Sequence, residues 1–138
     1  MKITDDQTAT QPLADFGVHA TRLLCSGDFD ALAKQFGYSL AYERDPAVAI
    51  QEELTSSLAE IGATSLHYPP TASPAVSYFK PNDTGLIALV EQYIPTNGNG
   101  HVLLELIVSS RKESKFVGLE QISSAPTAQP SADERICK

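Results

Sequence analysis

Leu86-Ile87-Ala88-Leu89-Val90-Glu91-Gln92-Tyr93-Ile94 and His101-Val102-Leu103-Leu104-Glu105-Leu106-Ile107-Val108-Ser109 flank the segment Asn97-Gly98-Asn99-Gly100. Asn-Gly pairs accept the positive φ of a tight turn, and apolar runs on either side read as two antiparallel strands of a hairpin. The loop length decides which side chains share a face. A three-residue loop, 97–99, sets Glu91 directly opposite Glu105, where like charges repel; two-residue and four-residue loops avoid this and are preferred on that ground. Either of these places Ile87, Leu89, Glu91 and Tyr93 on one face with Val102, Leu104, Leu106 and Val108. Gln92, His101 and Glu105 then fall on the other.

Outward from the hairpin, the alternating pattern predicts strands at 64–68, 75–79 and 115–123 beside 86–94 and 101–109. Pro69, Pro70, Pro74 and the run Pro81-Asn82-Asp83-Thr84-Gly85 separate them. Before residue 64 the period is helical. Pro12 can sit in a first helical turn, and Leu13, Phe16, Gly17, Ala20, Leu23 and Leu24 recur until Ser26-Gly27. Asp28 caps a shorter helix through Phe29, Leu32 and Phe36, ended by Gly37. Asp45-Pro46 opens a third helix through Ala47, Ile50, Leu54, Leu58 and Ile61, ended by Gly62. Helices first and sheet last define an α+β class, three N-terminal helices packed on a curved antiparallel sheet.

The domain is expected over residues 12–123. Residues 1–11, MKITDDQTATQ, read as a flexible N-terminus, and 124–138 as a disordered C-terminal tail without periodicity. No apolar run follows Lys2 as a signal peptide would require, and none approaches the 18 or so residues of a membrane helix, so the chain reads as cytoplasmic. Cys25 in a helix and Cys137 in the tail read as free thiols. The net charge of −7, from 17 acidic and 10 basic residues, repels nucleic-acid phosphates and anionic lipid; it reads first as a device for solubility and second as a surface that docks on a basic protein partner.

Several side chains are candidates for chemistry. Glu91, an acid on the more apolar face, reads as a pocket carboxylate with Tyr93 beside it, or as a rim residue reaching solvent. His19 flanks the apolar stripe of the first helix and serves as a base only if turned inward. His67 and Tyr68 point to opposite faces of their strand, so one of them can enter a pocket. Glu91, Tyr93, Leu104, Tyr68 and His19 form the candidate pocket set. His101 reads as a rim residue. The three histidines fall on three elements, so no metal site is expected. Gly98 and Gly100 belong to a hairpin and not to a phosphate loop, and no cofactor is expected.

The succession helix, Gly27-Asp28-Phe29-Asp30, short helix, third helix and meander resembles the nuclear-transport-factor-two-like, or cystatin-like, superfamily. Leu23-Leu24-Cys25-Ser26-Gly27-Asp28-Phe29 is similar to that superfamily's helix junction, as are Leu58-Ala59-Glu60-Ile61-Gly62-Ala63 and Lys115-Phe116-Val117-Gly118-Leu119-Glu120-Gln121-Ile122 to other segments of it. The resemblance implies a cone with a cavity between sheet and helix. It implies no activity, since enzymatic relatives carry an acid or His with a Tyr inside the cone and no such pair is assignable here. Three functions are compatible with these readings: a non-catalytic module holding a small apolar ligand or a protein partner, an acidic immunity or inhibitor-type protein that masks a basic partner, and a small isomerase or dehydratase. The face expected to carry Ala88, Val90, Ile94, Leu103 and Ile107 is too apolar for full solvation, so a homodimer through that sheet face is expected.

Overall fold

The computed structural model describes residues 1–68 and 73–126. Its elements are β1 (Lys2–Ile3), a 3-10 turn at Asp5–Thr8, α1 (Thr10–Cys25), α2 (Phe29–Phe36), a second 3-10 turn at Ser39–Ala41, α3 (Pro46–Glu60), β2 (Ala75–Tyr78), β3 (Leu86–Pro95), β4 (Gly100–Arg111) and β5 (Ser114–Pro126). The strands form one curled antiparallel sheet in the order β1-β5-β4-β3-β2, and the three helices pack against it. This is the expected α+β class.

Local chemistry accounts for the helix ends. The Asp28 carboxylate accepts from the Ala31 amide at 3.2 Å, and Gly37 closes α2 at φ 71°. The Asp45 carboxylate accepts from the Val48 amide at 3.1 Å, with Pro46 in the first turn of α3, where its missing N–H leaves no bond unmade. α1 buries Leu13, Gly17, Ala20, Thr21 and Leu24, and α3 buries Ala49, Ile50, Leu54, Ser57 and Leu58. They meet Ala88, Val90, Gln92 and Ile94 of β3, Val102, Leu104, Leu106 and Val108 of β4, and Val117, Leu119 and Ile122 of β5. Each such leucine or valine, fully withdrawn from water, stabilises the fold by about 1.5–3 kcal/mol.

Three expectations about the elements change. The segment 64–68 forms no strand; it makes a single bridge, Leu66 to Thr96, because the Thr64 and Ser65 amides donate to the Asn97 side chain at 2.9 and 3.2 Å and not to a ladder. The fifth strand comes instead from the N-terminus, where Lys2 and Ile3 pair with Phe116 and Lys115 and Ile3 enters the core. Residues 1–11, read as flexible, therefore carry β1 and a 3-10 turn. β5 runs past residue 123, pairing Ser124, Ala125 and Pro126 with Val102, His101 and Gly100. The rest of the expected tail, with Cys137, lies outside the described residues.

Candidate functional site: the outer face of the sheet

Glu91 pairs directly with Glu105 across β3 and β4, in the register of a three-residue loop. This overturns the expected loop length and inverts the expected faces of β3, because a shift of one residue moves every side chain to the opposite face. Ala88, Val90, Gln92 and Ile94 turn inward with the expected inner residues of β4, while Leu89, Glu91 and Tyr93 turn outward. The surface assigned to dimerisation is split accordingly. Its Ala88, Val90 and Ile94 are core residues at 0% exposure, and its Leu103, Glu105 and Ile107 remain outside.

The repulsive register is held from outside the hairpin. The Asn97 side-chain carbonyl takes the Thr64 and Ser65 backbone amides, the Asn97 backbone amide donates to the Ser65 carbonyl at 3.3 Å, and the Asn99 backbone amide donates to the Ile61 carbonyl at 2.9 Å. Gly98 lies so close to the end of α3 that a Cβ on it would meet the Ile61 carbonyl oxygen at 2.6 Å and the Ala63 Cβ at 2.7 Å. The loop thus docks on the segment after α3, and these bonds outweigh one unfavourable cross-strand pair worth some tenths of a kcal/mol.

Read along the β3–β4 pair, the outward face has a definite order. Tyr93 faces Leu103, Glu91 faces Glu105, Leu89 faces Ile107, and Leu86 faces Ser109. The acid pair is thus bracketed by apolar pairs. Tyr93, at 50% exposure, meets the His101 ring edge-on at 6.4 Å, and Leu86 is 38% exposed. Glu120 occupies a bulge of β5 between the residues paired with Glu105 and Leu106, and its carboxylate accepts from Ser39 at 3.1 Å. Partial burial, followed by the Glu91 and Glu120 carboxylates, pushes the Glu105 pKa above its ordinary value. Four residues beyond Ile107, Arg111 lies on the same face with its guanidinium stacked over the Phe116 ring at 5.2 Å, beside a hollow of about 220 Å³ that Ile107, Ser109 and Gly118 also line. The ion pairs among the described residues are Arg44–Glu52 and Lys115–Asp5, so neither Arg111 nor the acid pair takes part in one.

The five candidate residues do not converge. Glu91 and Tyr93 share the outer face, whereas Leu104 is inside at 0% exposure. A side chain with no accessible surface adjoins no space of water size, and the same holds for Val90, Val102, Leu106 and Val108. His19 leans on α2, its Nε2 within 2.6 Å of the Gln35 Oε1 and its ring 6.1 Å from that of Phe36. Tyr68 receives a hydrogen bond from Arg22 at 3.4 Å and is 40% exposed. Among the described residues no group of three His, Cys, Asp or Glu side chains is placed to hold a metal, and no helix is long and apolar enough to cross a membrane. Arg111 was missed because the strand was expected to stop at residue 109; the signal for it was parity, since 105, 107, 109 and 111 share one side of an extended strand. Compared with protein-family models, curated proteins and solved structures, the chain matches none.

Proposed function

We propose that this chain is a non-catalytic binding module that takes a protein partner on the outer face of its sheet. One observation carries the reading: a Glu91–Glu105 couple, without an ion-pair partner among the described residues, set between Tyr93–Leu103 and Leu89–Ile107. A like-charge pair partly withdrawn from water costs stability in the isolated chain, and apolar neighbours give a partner area to bury. A partner that supplies a cation relieves the repulsion, so the surface selects for basic groups set among apolar ones. The net charge of −7 draws such a partner in at long range. The order of helices and strands supports the resemblance to nuclear-transport-factor-two-like modules, many of which are non-catalytic. The inner face, filled by side chains such as Leu104 and Leu106, favours the sheet's exterior over a cone cavity as the place of binding.

An amphipathic peptide of alternating lysine and leucine is a direct probe. Backbone amide shifts of the 15N-labelled chain should move at Leu89, Glu91, Leu103, Glu105 and Ile107 and stay put in Glu91→Lys/Glu105→Lys. Shifts spread evenly over the acidic helix surfaces would overturn the reading.

A further inference from the structure

The cations of the outer face gather at the end away from the acid pair. Ser109 of β4, Phe116 of β5 and Lys2 of β1 stand in one cross-strand row, so their side chains leave the same face of the sheet, and Arg111, two residues on from Ser109, joins them there. The Arg111 guanidinium lies over the Phe116 ring at 5.2 Å, and Lys2 is the neighbour of Phe116 in β1. The ion pairs among the described residues include neither cation. Beside them the hollow of about 220 Å³ opens between the sheet and the segment 36–39, with Ile107 and Gly118 as the next cross-strand pair along its floor. A Cβ on Gly118 would lie 3.1 Å from the Phe36 carbonyl oxygen, so the gap is open because residue 118 carries no side chain.

We infer that this hollow is a site for a small organic anion, a carboxylate carried on a compact apolar body such as an aromatic ring. Stacked on Phe116, the guanidinium keeps its N–H edges free, and two parallel donors of that edge match the two oxygens of a carboxylate. Lys2 adds a second positive charge and Ser109 a hydroxyl donor. Ile107 and the bare backbone at Gly118 form a floor for the apolar body, and about 220 Å³ exceeds the cavity of about 150 Å³ that suffices for benzene. Charge sets the orientation. Glu105 lies two residues before Ile107 on the same face, and Ser39, on the opposite wall, donates to Glu120 at 3.1 Å, so that end repels a negative head and leaves it at Arg111. The site is separate from the Glu91–Glu105 surface proposed for a protein partner, and from the inner face of the sheet, which side chains fill. The net charge of −7 opposes an anion at long range while Arg111 and Lys2 act at contact, which sets a modest affinity, with a dissociation constant of about 1 mM for a ligand the size of benzoate.

Titration of the 15N-labelled full chain with sodium benzoate, to about 20 mM at constant ionic strength and neutral pH, reads the site through backbone amide shifts. Expected are saturable shifts at Ile107, Ser109, Arg111, Phe116 and Gly118. Benzamide, the neutral analogue, and acetate, the head without the ring, should each bind at least about tenfold more weakly. Arg111→Gln should weaken benzoate binding by about tenfold or more, and Lys2→Gln by about two- to fivefold. Ser109→Phe keeps both cations and fills the hollow, so it should abolish the shifts; this separates a shaped site from a patch of positive charge. The inference is overturned if benzoate gives no saturable shift, if acetate binds as well as benzoate, or if Arg111→Gln or Ser109→Phe leaves binding unchanged. Shifts centred instead on Lys112 and Ser114, which with Arg111 and Phe116 line a second hollow of about 330 Å³ at the hairpin turn, overturn it as well. Far-UV circular dichroism shows that each variant is folded, and the comparison of benzoate with benzamide and acetate tests the site in the unmodified chain.

Discussion

Glu91 and Glu105 stand directly opposite one another on the sheet's outer face, with apolar pairs on both sides. The pKa of Glu105 is raised, first by burial and then by the Glu91 and Glu120 carboxylates, so the folded chain holds that proton more tightly than the unfolded chain, where Glu titrates near about 4.3. The sign follows from linkage: this group's contribution to stability is greatest at low pH, declines as pH rises from about 4.3 through the raised value, and stays unfavourable above it. Glu105→Gln should therefore stabilise the monomer at pH 7 by on the order of 0.2–1 kcal/mol, with the gain shrinking toward pH 4. Urea unfolding at low micromolar concentration measures it, and a variant less stable than the parent at pH 7 contradicts the account.

Asn97 is the anchor that imposes this pairing. Its side-chain carbonyl accepts the Thr64 and Ser65 amides and its side-chain amide donates to the Thr64 hydroxyl at 2.8 Å. Asn97→Ala removes all three bonds and should cost about 1–2 kcal/mol in urea unfolding. Asn97→Asp keeps the acceptor and loses only the donated bond, so it should lie between Asn97→Ala and the parent. Equal losses for the two substitutions would show that the accepted bonds do not hold the loop.

The helices were legible because their signals are local. Asp28 and Asp45 cap within three residues of themselves, and the apolar spacing of Leu13, Ala20 and Leu24 lies inside one segment. The hairpin was legible as a hairpin, but its register was not, since register is set by Asn97 meeting Thr64 and Ser65 over thirty residues away. Local repulsion between Glu91 and Glu105 argued for the wrong loop, and a tertiary contact overrode it. β1 escaped notice because a two-residue strand has no period and only Ile3 carries its burial. The candidate site was half legible. Glu91 and Tyr93 do share a face, but Arg111 became visible only once β4 proved to run two residues past its expected end at 109.

Gly17 marks a close approach of α1 to the sheet. A Cβ on it would meet the Pro74 Cγ at 2.8 Å and the Val90 Cγ1 at 2.9 Å, with Val90 in the fully buried core. In an exposed helix Gly→Ala stabilises by about 1 kcal/mol, but overpacking a tight core contact costs about 1–3 kcal/mol. Crowding should win here, so Gly17→Ala should lower the melting temperature and Gly17→Val lower it further. A rise in melting temperature for Gly17→Ala would mean that α1 does not press on β3 at this point.

Cys25, in the last turn of α1, is half-buried, and burial pushes its thiol pKa up to about 11. The negative end of the helix dipole acts in the same direction. Only the thiolate attacks alkylating reagents. At pH 8 about one in a thousand Cys25 groups is ionised, against about one in four for a free thiol of pKa near 8.5. Iodoacetamide should therefore modify Cys25 at least about a hundredfold more slowly in the folded chain than in urea, and the rate should keep rising about tenfold per pH unit past pH 9, where a free thiol levels off. Site-resolved mass spectrometry is needed, because Cys137 in the same chain reacts with the same reagent. A Cys25 rate that levels off near pH 9 in the folded chain would place its sulfur in water and displace the end of α1 from the core.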